Sequence, residues 1–90
     1  MKSIEILISG KVQKVGFRSC IKRIAWRLNI KGEVMNQSDG TVRIRATGDW
    51  IILEKFISMI YGCPRAVIRD VSIRELDLRE YDDFVIRKIH

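Results

Sequence analysis

The segment of this chain best equipped for chemistry is Gly10-Lys11-Val12-Gln13-Lys14-Val15-Gly16-Phe17-Arg18. It follows the apolar run Ile4-Glu5-Ile6-Leu7-Ile8 and leads into an amphipathic pattern. A glycine-bearing turn between a strand and a helix N-terminus gathers backbone N–H groups that have no intrahelical partner. The helix dipole adds partial positive charge at the same point. Arg18 contributes a planar, permanently charged fork suited to phosphate oxygens. A cation at the positive end of a helix is unfavourable by itself and makes sense with an anion between them. The chemistry expected here is the binding of phosphate.

The elements that must position this segment can be read from periodicity. Ile4, Ile6 and Ile8 alternate with Glu5, Leu7 and Ser9, the pattern of a strand with one apolar face. Phe17, Ile21, Ile24, Ala25 and Leu28 recur at helical spacing, and Asn29 or Gly32 marks the exit. Residues 32–36 and 41–47 flank Gln37-Ser38-Asp39-Gly40, whose Asp-Gly is a hairpin signal. A second helix is expected after Asp49, its N-cap, with Leu53, Phe56, Ile57 and Ile60 as its buried stripe. Gly62 and Pro64 end it. Strand-like segments follow at 67–76 and 84–87, separated by a charged, exposed connection over 77–83. The order β-α-β-β-α-β, with one short extra strand, predicts an α+β, ferredoxin-like sandwich: an antiparallel sheet with two helices on one face.

Ninety residues with 47% hydrophobic and 31% charged content suit one small domain spanning 1–90. No apolar run approaches the roughly 18–20 residues of a membrane span, and the N-terminus has no signal-peptide layout, so a cytoplasmic protein is expected. The net charge of +6 is concentrated in one half: residues 1–48 carry ten Lys/Arg against three acids, and 49–90 seven against eight. That positive field favours anionic partners, whether a small phosphate compound or nucleic acid. Cys20 and Cys63 are too few for a disulfide framework and are expected as buried or half-buried thiols, although their separation in space, and hence a bridge, cannot be read from sequence.

Two blocks resemble the acylphosphatase family over nearly the full length. Residues 8–18 are similar to its G-x-V-Q-G-V-x-F-R loop. Residues 32–48 are similar to its G-aromatic-V-x-N-x-x-x-G-x-V-x-x-x-x-x-G strand pair. The resemblance implies metal-free, cofactor-free hydrolysis of an acyl phosphate to a carboxylate and inorganic phosphate. It implies that the amides of Gln13, Lys14, Val15, Gly16, Phe17 and Arg18 cradle the phosphate, that Arg18 is the catalytic arginine and that Asn36 holds the attacking water. On spacing alone Asn36 would instead read as a turn residue beside Asp-Gly.

The chemistry agrees with that inventory. An acyl phosphate already carries a good leaving group, so its hydrolysis needs mainly in-line positioning and stabilisation of charge on the phosphoryl oxygens. No general base is required, and the only histidine is His90.

The sequence departs from the family pattern twice. Lys14 stands where glycine is usual, which costs about 1–2 kcal/mol if that position needs φ > 0, or adds a second positive charge near the phosphate. Glu33 replaces an aromatic and, three residues from Asn36, faces the other side of its strand.

Three functions are compatible with this sequence. The first is an acylphosphatase, expected to be monomeric, acting on a small-molecule acyl phosphate and holding inorganic phosphate or sulfate at the loop. The second is a phosphate-binding relative with weak turnover, motivated by Lys14. The third is a basic RNA-binding domain of the same topology. Arg43 and Arg45 offer a basic sheet face to RNA, but the stacking aromatics of RNA-recognition domains are missing there.

Overall fold

The structure, a computed structural model, describes residues 1–88; His90 lies outside them. The three alternating isoleucines of β1 (Lys2–Lys11) are fully buried, which makes β1 an inner strand. β2 (Lys31–Asn36) and β3 (Val42–Gly48) form the expected hairpin. Asp39 closes its turn by accepting bonds from the Thr41 amide (3.0 Å) and hydroxyl (2.6 Å). β4 (Val67–Leu76) and β5 (Phe84–Arg87) complete a five-stranded sheet in the order β4-β1-β3-β2-β5.

One feature corrects the antiparallel sheet expected from sequence. β5 runs parallel to β2, with Gly32 beside Phe84 and Val34 beside Ile86. The chain leaves β4 at one edge, reverses through residues 77–83 and returns at the far edge in the direction of β2. That connection is exposed but tied down. The Arg79 amide donates to the buried Ser3 hydroxyl at 2.8 Å, and the Thr47 hydroxyl donates to the Arg79 carbonyl at 2.8 Å.

The helices α1 (Phe17–Arg27) and α2 (Trp50–Ile60) cover one face of the sheet, α1 over β2 and β5 and α2 over β3. Phe17, Ile21, Ile24 and Ala25 bury one stripe, and Leu53, Phe56 and Ile60 bury the other. Phe56 meets Phe84 edge to face with centroids 6.0 Å apart. Ile57, expected in the buried stripe, is only half-buried. Asp49 is the N-cap residue of α2 but its side chain makes no capping bond. α1 exits at Asn29, which takes φ 55°, whereas Gly32 belongs to β2.

Cys20 and Cys63 are joined as a disulfide, Cα atoms 6.1 Å apart. It ties the start of α1 to the segment after α2 and corrects the expectation of two thiols, because packing α1 beside α2 brings the two cysteines within bridging distance.

On the uncovered face, a single row of ion pairs crosses all five strands. Arg74 of β4 donates to Glu5 of β1 (2.9 Å), and Arg45 of β3 donates to the other oxygen of the same carboxylate (3.0 Å). Arg45 also reaches Glu33 of β2 (3.9 Å), which Arg87 of β5 bonds at 2.6 Å. Burial alone would raise the Glu5 carboxyl, but the hydrogen bonds and charges of Arg74 and Arg45 outweigh it and hold its pKa below the ordinary value.

A depressed carboxylate pKa contributes stability above the unfolded-state pKa and loses it as pH falls through the folded one. Glu5→Gln should therefore cost about 1–3 kcal/mol at neutral pH, and the difference from wild type should shrink below about pH 4. Thermal unfolding of both proteins across pH tests this. An unchanged gap at pH 3 would show that packing, not charge, sets the cost.

Candidate active site

Between β1 and α1 the chain turns through residues 12–16 with its two valines directed inward. Val12 is buried and Val15 packs against the core, whereas Lys14 and Gly16 face outward. Gly16 is the N-cap of α1 at φ 75°, ψ 15°. Lys14 takes φ 62°, so the position where the family motif has glycine does require the left-handed region, and the lysine adopts it. Gly10, just before the turn, allows a different constraint to be met. A Cβ there would collide with the Val67 carbonyl and Arg69 amide of β4, so only glycine lets the strands meet where the turn begins.

No backbone amide from Gln13 to Ser19 has a hydrogen-bond acceptor among the described residues; the first helical bond is from Cys20 N–H to the Gly16 carbonyl at 3.2 Å. The amides therefore stand free around the N-terminus of α1, whose first turn holds no acid. Beside them lies a cavity of about 220 Å³ whose lining includes Lys14, Gly16, Arg18, Asn36, Ile86 and Lys88. Asn36 ends β2 on the helix-facing side that it shares with Val34. Its Oδ1 is buried and has no hydrogen-bond partner among the described residues. An adjoining hollow of about 330 Å³ shares Arg18, Asn36 and Lys88 and opens over the hairpin turn at Gln37 and Ser38.

The expected site residues divide into two groups. Lys14, Gly16, Phe17, Arg18 and Asn36, far apart in sequence, line the one cavity. The side chains of Gln13 and Val15 do not. Gln13 turns away and its Nε2 donates to the carbonyls of Gln37 (2.8 Å) and Thr41 (2.9 Å), clamping the loop to the β2–β3 hairpin. Sequence reasoning missed this side-chain role, and it missed Lys88 and Ile86, whose distance from the loop in sequence carries no signal. The larger hollow under residues 78–82, about 380 Å³, contains none of the expected residues.

The acylphosphatase family model matches residues 4–86. The chain belongs to the acylphosphatase family. Acylphosphatases of Thermotoga petrophila and Archaeoglobus fulgidus are 43% and 41% identical to it, over 97% and 96% of this chain and 98% of each relative. The crystal structure of acylphosphatase from Bacillus subtilis superposes with a TM-score of 0.93 at 31% identity, over 97% of this chain and 99% of that one. Full-length HypF, crystallised in a phosphate- and nucleotide-bound form, contains a matching region (TM-score 0.89, 38% identity) over 97% of this chain and 12% of that one. As an acylphosphatase, the chain is an enzyme acting on small-molecule acyl phosphates. No described helix is long and apolar enough to cross a membrane.

Two substitutions test how this acylphosphatase holds its loop. Gln13→Ala removes both clamps and should cost about 1–2 kcal/mol of stability while raising KM, since the amides lose their fixed aim. Lys14→Gly relieves a left-handed cost of about 1–2 kcal/mol, offset by about 0.5–1 kcal/mol of glycine entropy, so urea unfolding should show a gain of up to about 1 kcal/mol. A loss of stability would mean that the lysine side chain makes a compensating contact.

Proposed function

We propose that the free amides of residues 13–18 and the Arg18 guanidinium bind the phosphoryl group, and that Asn36 holds the water that attacks it. The supporting observation is the buried Oδ1 of Asn36, without a partner among the described residues, on the same small cavity as Arg18 and the loop. A buried acceptor without a partner costs about 1–3 kcal/mol, which a hydrogen-bond donor in the cavity would recover. Water is such a donor, and an asparagine amide can bond it through one donor and one acceptor without titrating.

In this reading water approaches phosphorus opposite the acyl oxygen, the P–O bond to the acyl group breaks, and the carboxylate departs with the bonding electrons. The water proton ends on phosphate or in solvent. The acyl group extends into the adjoining hollow above Gln37 and Ser38. Amides, helix dipole, Arg18 and the neighbouring Lys14 and Lys88 counter charge on the phosphoryl oxygens. Neither a metal nor a general base is called for, because the leaving carboxylate is already weakly basic. The HypF relative in its phosphate-bound form is consistent with inorganic phosphate as a ligand of the loop.

Hydrolysis of benzoyl phosphate in EDTA tests the assignment. Asn36→Ala should lower kcat roughly 10²–10³-fold while inorganic phosphate still inhibits. Arg18→Ala should lower kcat and raise KM together, because it removes contacts made in both ground and transition states. Full activity in a folded Asn36→Ala would dismiss the water-positioning role and leave the loop as the whole site.

A further inference from the structure

Cys20 lies in the first turns of α1, two residues after Arg18, and its partner Cys63 lies in the segment just after α2. Both cysteines line a hollow of about 300 Å³ between α1 and the end of α2. Arg23 and Arg27 follow Cys20 by three and seven positions, so all three share one face of α1, and both arginines line the same hollow. No acidic residue lines it, and neither arginine has an ion-pair partner among the described residues. Met59 of α2 contributes an apolar wall. A disulfide thus stands beside two unpaired guanidinium groups.

We propose that this hollow receives a small anionic thiol, which opens the Cys20–Cys63 bridge by disulfide exchange and so loosens the end of α1 that carries Arg18. The second half rests on the phosphate-binding role proposed for Arg18. In the first step the incoming thiolate attacks Cys63 Sγ. A mixed disulfide forms there, the bond to Cys20 breaks, and Cys20 Sγ departs with the bonding pair as a thiolate. Cys20 is the better leaving group because it lies near the positive end of α1 and shares the hollow with Arg23, both of which counter developing negative charge. A second thiolate then attacks the small-molecule sulfur of the mixed disulfide and releases Cys63. Two thiols are oxidised to their own disulfide, the bridge gains the two electrons, and the protein sulfurs take protons from solvent. The guanidinium groups attract an acidic tail as well as the thiolate itself, whereas a cationic thiol is repelled.

Opening the bridge leaves the buried stripes of both helices in place, so the fold persists. What is lost is the tie between the turn carrying Arg18 and the end of α2. The Arg18 fork and the neighbouring amides then hold their aim less well, and binding of the phosphoryl group weakens.

The thiols 2-mercaptoethanesulfonate, 2-mercaptoethanol and cysteamine share a two-carbon frame and carry anionic, neutral and cationic tails. Their rates are compared at low ionic strength, per thiolate and relative to a small neutral disulfide, with freed cysteines alkylated and counted by mass. The sulfonate should open the bridge about three- to tenfold faster than cysteamine. Combining Arg23→Gln with Arg27→Gln should remove that preference and leave acyl phosphate turnover of the oxidised protein unchanged. The reduced protein and Cys63→Ser should keep the native far-UV circular dichroism while KM for benzoyl phosphate rises about three- to tenfold. Equal rates for the three thiols, or a preference that survives the double variant, overturns the thiol site. An unchanged KM in the folded reduced protein overturns the link to Arg18, and so does loss of the native signal, since the bridge would then hold the fold and not the loop. A wrong assignment of Arg18 itself shows separately, as an unaltered KM in oxidised Arg18→Ala.

Discussion

The loop proposed to bind phosphate leaves its backbone amides unpaired, and unpaired amides do nothing to hold it in place. The rest of this structure depends on how that conflict is met. Val12, Val15 and Phe17 drive into the core and fix the loop from beneath. Gln13 fixes it from the side, spending its amide on two hairpin carbonyls and so linking the loop to the turn that follows Asn36. The Cys20–Cys63 bridge holds the first turns of α1 against the end of α2. These contacts are made by side chains, Val12 and Phe17 also forming part of the cavity wall, so the loop is held without using its backbone amides.

The uncovered sheet face works by a different balance. Its arginines read as a basic surface in the sequence, yet Arg45 and Arg74 share one buried carboxylate, and Arg87 and Arg45 meet at Glu33. Arg43 lies against the sulfur of Met35. Exposed ion pairs are individually worth little, but Glu5 is 5% exposed and needs both of its partners. The two glutamates therefore offset part of the positive charge on this face. Lys14, Arg18 and Lys88 gather further positive charge at the cavity, which suits the small anionic substrate of an acylphosphatase.

Both departures from the family motif have a structural account. Lys14 accepts the left-handed backbone that glycine would take at no cost, and brings a cation to the rim of the cavity. Glu33 lies on the side of β2 opposite Asn36, where it becomes a link in the charge row instead of a packing defect. Neither interrupts the cavity.

Local pattern sufficed for much of this protein. The two helices, the Asp-Gly hairpin, the isoleucine face of β1 and the strand-to-helix loop are all set by periodicity, turn chemistry and sterics within a few residues. The family motif placed Arg18 and Asn36 as candidate partners, and the fold brings them to one cavity. What pattern could not supply was every pairing between distant segments. The direction of β5, the bridge between Cys20 and Cys63, the inward clamp of Gln13 and the neutralisation of Arg45 by two glutamates were decided by tertiary structure. Periodicity reports which face of an element is buried, but not which residue on another element meets it; that is settled only when loop lengths and packing bring the elements together.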